Sequence, residues 1–422
     1  MLGLVTPLGN DVASTWNALL AGRSGIARIT GCDASGFPVR IAAEVTECDA
    51  RRVVEDRKLL KFANRYHRFA LVAAEEALRD ANVRPAADSA VRWDCVVGSG
   101  MMGVDFGELS GFHRTFAADG ELSVQKLFDA GRTAADPLVF CRSQTNAGLS
   151  LLLRRFGIRG YASSVHTACA SGAQAVGTAL KVIRRGTADW VLAGGFDSML
   201  NPMGLAGFCL LEALSPDNDS PERASRPFDR TRNGFVLGEG AGFLVLEEWG
   251  AACRRGARIY AELAGDGNSL SGYRITGTHP SGDGPMQAMR QALTDARVAP
   301  EDVDFVNAHG TSTPMNDRSE SAAIRAVFGT HAPAVAVSST KSLMGHLIAA
   351  AGAVEAAICA LAIHHGALPM NANLREGDPE CELNFVCDRP RRQRVHVAVS
   401  NSFGFGGANS CLVFRHPDDG GP

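Results

Sequence analysis

An α/β fold of stacked layers is predicted by three features of the chain. Stretches with helical periodicity alternate with short apolar runs along the whole length. The second half repeats the grammar of the first, and the conspicuous polar motifs fall where apolar runs stop. With 422 residues, 45% of them hydrophobic, the chain can bury a core large enough for two domains or one double-layered unit. The change of half falls in the charged, glycine-containing stretch 249–258, which divides the chain into 1–252 and 253–422. No low-complexity linker lies between the halves, so they are expected to pack as one body.

Taken in order, residues 57–80 read as an amphipathic helix with apolar positions Phe62, Tyr66, Phe69, Ala70, Ala73 and Ala77. A short buried strand follows around Cys95, Val96 and Val97. The apolar-leaning run 161–168 gives way at Cys169 to the small-residue opening of a helix. Strand signals then appear at 190–193 and 242–246. The second half offers strands at 259–263, 303–308, 335–338 and 395–399, with helices at 285–296 and 318–328. The longest apolar stretch, 347–363, carries Glu355 and is mostly alanine, so it reads as a buried helix rather than a membrane span. Glu355 would be costly to bury unpaired and is expected to have a cationic or hydrogen-bonding partner.

Net charge is −3, so no global basic field points to nucleic acid or an anionic membrane. The eleven cysteines are scattered with no C-x-x-C pair for zinc or dithiol chemistry, and no secretory signal is visible. A reduced cytoplasm fits that usage best. One local feature stands out: Arg57, Lys61, Arg65 and Arg68 recur at spacings of four, four and three and so are expected to form one basic helical stripe opposite the apolar face, either a docking face or a plain solvated one.

Chemistry concentrates at four places. Cys169, at a strand-to-helix corner, would face the unpaired N–H groups and positive end of a helix, which favour thiolate over thiol; the bland alternative is a small buried hydrophobe. In Asn307-Ala308-His309-Gly310-Thr311-Ser312-Thr313-Pro314 a strand ends at a histidine, where α/β proteins place ligands, although a lone histidine is more often structural. Lys341 and His346 sit together before the alanine-rich helix, where a Ser/Thr run could equally be capping. The run 401–409 superficially resembles a dinucleotide loop, but the third glycine of that pattern would fall on Asn409 and an apolar strand-like run follows. Its alternating glycines instead allow close approach to a ligand, flanked by Phe403 and Phe405.

Together, Thr167-Ala168-Cys169-Ala170-Ser171-Gly172, Asn307 to Thr313, Thr340-Lys341-Ser342 with Gly345-His346, and Asn401 to Gly407 resemble the signatures of the type II β-ketoacyl-acyl-carrier-protein synthases, in that family's order. The resemblance implies a thiolase fold: two similar halves in five α-β-α-β-α layers, in a dimer. It implies a decarboxylative Claisen condensation with Cys169 as nucleophile and His309 and His346 as donors to the enolate. Lys341 and Glu355 would support them, and the N–H groups of Cys169 and Phe405 would form the oxyanion hole. By the same resemblance Thr311 and Thr313 bind the pantetheine arm, Phe403 and Phe208 line the substrate path, and Phe405 gates acyl entry. Acyl carrier protein is the implied partner, met by Arg57, Lys61, Arg65 and Arg68. No cofactor or metal is required.

Departures from that pattern are also visible. The chain opens close to its Val-Thr-Pro motif, so the first strand is expected to be truncated or missing. Glu212 stands where the fatty-acid enzymes carry a basic residue, and Gln144 where they place apolar residues reaching the partner subunit's acyl pocket; Met101 is expected to line that pocket. A homodimer or a heterodimer with a chain-length factor are both open, as are fatty-acid and type II polyketide or polyene pathways. A silent chain-length-factor subunit would lack Cys169. A thiolase would carry a second cysteine in the last loop, and a starter-unit enzyme an asparagine in place of His346. A purely structural scaffold would make the four motifs coincidental.

Overall fold

The computed structural model describes residues 1–100, 106–117, 124–126, 128–129 and 136–419. One sheet is built from β1 (Leu2–Val5), β2 (Trp93–Ser99), β3 (Ala162–Val165), β4 (Trp190–Ser198) and β5 (Glu239–Glu247), ordered β1-β5-β4-β2-β3. The other holds β6 (Glu262–Leu270), β7 (Phe305–Asn307), β8 (Ala336–Ser338), β9 (Asn384–Phe385), β10 (Val397–Phe403) and β11 (Ala408–Arg415), ordered β9-β8-β7-β10-β11-β6. In each sheet the central strands run parallel, as in the pairs β2/β4 and β7/β10, and antiparallel strands flank them on one side.

Strand alternation explains the layering. Cys95 and Val97 of β2 face outward and Val96 faces inward; on β4, Leu192 and Phe196 face outward while Val191 and Ala193 face inward. Both faces are buried, which is why these strands read as short continuous apolar runs. Helix α1 (Arg65–Ala81) covers the outer face of the first sheet. Two helices stand side by side between the sheets, α2 (Ser171–Arg184) and α5 (Ala351–His365), and α3 (Asp283–Ala296) with α4 (Pro314–Phe328) cover the outer face of the second. The five layers α-β-α-β-α are the thiolase fold. Residues 348–365 are apolar and long enough to cross a membrane by composition, yet 89% of them are buried between the two sheets, as expected for this stretch.

Three sequence expectations are corrected. The first strand is present: β1 pairs antiparallel with β5 from Leu2 opposite Leu244 to Val5 opposite Ala241. As an edge strand it directs the N–H groups of Leu2 and Leu4 at the Asp80 and Glu76 carboxylates of α1, so its free edge is covered. The helix expected at 57–80 begins only at Arg65. Asn64 accepts the His67 N–H while His67 Nδ1 accepts the Asn64 N–H, a reciprocal cap that starts the helix there, and Leu59–Phe62 is a separate 3-10 turn. Arg57 and Lys61 therefore lie off the helix, and Arg65 is bidentate to the buried Glu239, so the four cations are not one helical stripe. Finally, the strand expected at 259–263 is β6, shifted to start at Glu262.

Candidate active site

Four segments from both halves converge on one cavity of about 400 Å³. Past the end of β3, Ala168–Ala170 make a single 3-10 turn that runs into α2. Ala168 takes φ +50°, an unfavourable conformation for an L-residue, and Ser171 holds it there: its hydroxyl donates to the Ala168 carbonyl at 2.7 Å and accepts the Thr167 N–H at 2.8 Å. The corner directs Cys169 into the cavity.

His309 follows β7 by two residues. Its loop is pinned by Glu320 of α4, whose two carboxylate oxygens accept the N–H groups of His309 and Gly310, each at 2.8 Å, and which also receives the Asn401 amide at 3.1 Å. His346 lies between the one-turn helix Lys341–Met344 and α5. The Ile348 N–H donates to its Nδ1 at 3.3 Å, so the proton of the neutral ring sits on Nε2. That Nε2, and Nδ1 of His309, are buried with no hydrogen-bond partner among the described residues. Ligating atoms of Cys169, His309 and His346 all lie within 4.8 Å of one another. The rings stand in an aromatic row: Phe208 against Phe235, Phe235 against His346, His346 against His309, and His309 against Phe403, with centroids 5.3–5.5 Å apart.

Burial sets the protonation states. It pushes both imidazoles well below their ordinary value, with Lys341 adding to the effect, so each is a neutral ring. Burial also pushes the Cys169 thiol up to about 12, against the downward pull of Lys341 and of the N–H groups of Phe405 and Cys169. The expectation that the helix end favours thiolate over thiol is thus corrected: desolvation outweighs it. Lys341 is itself buried and bonded to Glu355, the partner expected for that carboxylate, and burial holds Glu355 up to about 7 despite the ammonium beside it.

The loop after β10 closes the site. A Cβ on Gly404 would meet the Thr167 carbonyl at 2.5 Å and the Cys169 nitrogen at 3.2 Å, so only glycine lets this loop lie against the nucleophile's corner. Phe405, 36% exposed, lines the cavity, and its N–H favours the Cys169 thiolate. Phe208, Thr311, Thr313 and Phe403 line the same cavity, and Glu212 sits exposed at its rim. Gln144 is not among the described lining residues; its amide donates to the Phe140 carbonyl at 3.1 Å. Met101 lies outside the described residues. None of Arg57, Lys61, Arg65 and Arg68 lines the cavity.

Sequence reading missed Glu320, Asn401 as its partner, and Phe235. Glu320 had a signal: it shares helical spacing with Ala323, Ile324 and Val327 and so is a carboxylate on an apolar face. Phe235 had none, being one apolar residue in an apolar run.

Fold and site together define a thiolase-fold acyl-transferring enzyme with a buried cysteine and two neutral imidazoles. The family model for the β-ketoacyl synthase N-terminal domain matches residues 2–252, and that for the C-terminal domain residues 260–375. The chain belongs to the β-ketoacyl synthase family. It is 40% identical to the 3-oxoacyl-[acyl-carrier-protein] synthase 2 of Coxiella burnetii, over 99% of this chain and 98% of that one, and 39% identical to the enzyme of the same name from Synechocystis, over 98% and 96%. Among solved structures it resembles the ishigamide ketosynthase/chain length factor, with TM-score 0.87 and 35% identity over 98% of this chain and 97% of that one. It also resembles a type II polyketide acyl-carrier protein in complex with its ketosynthase bound to the hexaketide, with TM-score 0.85 and 30% identity over 98% and 97%.

Proposed function

We propose that this chain is a 3-oxoacyl-[acyl-carrier-protein] synthase that joins an acyl thioester to malonyl-acyl carrier protein. The observation that carries this reading is a buried sulfur within 4.8 Å of two neutral imidazole nitrogens, in a cavity lined also by Phe403 and Phe405.

In the first half-reaction the Cys169 sulfur attacks the thioester carbonyl. The oxyanion is held by the N–H groups of Cys169 and Phe405, the carbon–sulfur bond to pantetheine breaks, and the arm leaves as a thiol carrying the proton lost by Cys169. In the second, the carbon–carboxylate bond of the malonyl group breaks and carbon dioxide leaves. The bonding pair becomes an enolate whose oxygen is met by His309 and by Nε2–H of His346. Neutral imidazoles suit this task, since they donate without surrendering a proton to the enolate carbon. That carbon attacks the acyl-cysteine carbonyl, and the Cys169 sulfur departs with the electron pair.

Around this centre Lys341 and Glu355 hold the local charge, Thr311 and Thr313 receive the arm, Phe208 and Phe403 form the walls, and Phe405 is the gate. The half 1–252 supplies the nucleophile and the half 253–422 the two histidines. The acyl carrier protein approaches a surface that includes Arg57, Lys61 and Arg68, with Arg65 partly committed to Glu239. Gln144 faces the partner subunit of a homodimer or of a heterodimer with a chain-length factor. The enzyme works in the cytoplasm, in fatty-acid or type II polyketide synthesis; one solved structure it resembles is named for a type II polyketide system.

Intact-protein mass spectrometry after exposure to a panel of acyl-carrier thioesters tests the chemistry. An acyl adduct is expected on the wild type and not on Cys169→Ala. His309→Ala and His346→Ala are expected to acylate yet make no condensation product. Equal acylation of wild type and Cys169→Ala, or unchanged condensation in both histidine variants, overturns the assignment.

A further inference from the structure

Asp197 is a buried carboxylate that the condensation chemistry leaves unused. It lies one residue before the end of β4, is 1% exposed, and has no ion-pair partner among the described residues. Space is kept for it: a Cβ on Gly100 would meet its oxygens at 2.3 and 2.6 Å. Its Oδ2 accepts the Ala349 N–H at 3.1 Å. Burial pushes its carboxyl up to about 7, against the downward pull of the Ala349 and Ser198 N–H groups.

Ala349 belongs to the turn that presents His346. The residue before it, Ile348, has φ +47°, a genuine outlier for a β-branched side chain, and such a conformation persists only where its surroundings over-determine it. The strained residue is the one whose N–H binds His346 Nδ1 and leaves the proton on Nε2. A carboxylate grips the next N–H along, and the turn is pressed from the other side by β4 and α2: a Cβ on Gly195 or on Gly172 would meet the Ala349 carbonyl at 2.7 or 2.8 Å.

We propose that Asp197 is a positioning residue for the condensation step. By holding the Ala349 N–H it locks Ile348 in its left-handed conformation, and the Ile348 N–H in turn locks His346 as the tautomer that donates from Nε2. Its action on the imidazole runs through two backbone groups and bears on enolate formation, while its charge separately opposes the Cys169 thiolate. This rests on the condensing reading above.

Three variants test it, each scored for Cys169 acylation by mass and for malonyl decarboxylation and condensation. Asp197→Ala removes the acceptor and a charge that opposes the Cys169 thiolate; it acylates at least as fast as wild type but condenses roughly tenfold slower or worse, the range typical of a lost outer-shell partner. Asp197→Asn keeps an oxygen for the Ala349 N–H and recovers most of that rate. Ile348→Gly in the Asp197→Ala background removes the strain that the clamp opposes and restores part of the loss. Nitrogen-15 histidine NMR should show the His346 proton shared between Nδ1 and Nε2 in Asp197→Ala and confined to Nε2 in wild type and Asp197→Asn. Acylation by Asp197→Ala establishes that the variant is folded and that the nucleophile works, so failure of the reading itself is seen separately, in the wild type. Condensation undiminished in Asp197→Ala, an Asp197→Asn enzyme as slow as Asp197→Ala, or an unchanged His346 tautomer overturns the proposal. Should Asp197→Ala not fold, Asp197→Asn and Ile348→Gly alone decide: loss of condensation in the first, or of the Nε2–H signal in the second, counts against it.

Discussion

A thiol buried beside an ammonium is pulled two ways, and at Cys169 the two pulls can be separated. Desolvation resists the thiolate, while Lys341 favours it. Lys341→Met removes the cation without adding bulk, so alkylation of Cys169 by iodoacetamide at pH 8 is expected to slow, read as adduct mass against time. An unchanged rate would mean that the ammonium does not act on the sulfur. The same substitution leaves Glu355 buried without a cation, a loss of about 3–5 kcal/mol by urea unfolding that Lys341→Met with Glu355→Leu should largely recover. At this scale the sequence was legible where a reactive residue type stands just past a strand, as Cys169 and His309 do, or before an apolar helix, as His346 does. It was silent on Asp197, because a carboxylate in Gly194-Gly195-Phe196-Asp197-Ser198 carries no mark of burial until the turn that covers it is seen.

Elements were readable where burial is two-sided or amphipathic, and misread where a cap or an ion pair overrides periodicity. Helix α1 shows both. Its apolar face was predicted, but its start was not, since the reciprocal Asn64–His67 cap is a matter of hydrogen bonds that spacing does not reveal. His67 is buried against Phe196, and burial pulls it down to about 3. The unfolded chain takes up a proton as pH falls through about 6.5, the ordinary value, and the folded chain does not. Stability from this residue is therefore complete above that pH and is lost as pH falls, by at most about 1.4 kcal/mol for each further unit. Glutamine at the same position can still accept the Asn64 N–H and does not titrate. His67→Gln should thus lose less stability than wild type between pH 7 and pH 5, measured as the shift in urea midpoint. Parallel losses in the two proteins would show that His67 does not titrate on unfolding.

At the scale of the whole molecule the question is why residues nearly two hundred positions apart share one cavity. Cys169 precedes α2 and His346 precedes α5, and these are the two helices packed between the sheets, so their N-terminal ends must meet for the site to exist. The contact is made by glycine on both sides. A Cβ on Gly172 would meet the Ala349 carbonyl and the Ala353 nitrogen, each at 2.8 Å; a Cβ on Gly352 would meet the Ala173 nitrogen at 2.6 Å and the Ser402 hydroxyl at 2.7 Å. All but the Ser402 hydroxyl are backbone atoms, which cannot swing aside as a flexible side chain can, so a methyl group must push one helix end from the other. Both glycines could be read as helix-opening small residues from the sequence, but their apposition could not, since it joins two segments that only the layered fold brings together. Gly352→Ala is expected to cost about 1–3 kcal/mol of stability, as overpacking does. It should lower condensation more than acylation, because Cys169 keeps its own corner and oxyanion N–H groups while the distance to His346 grows. Thermal unfolding and single-turnover product formation read the two effects. If Gly352→Ala lowers stability while acylation and condensation fall in equal proportion, the helix crossing sets the fold but not the spacing of sulfur and imidazole.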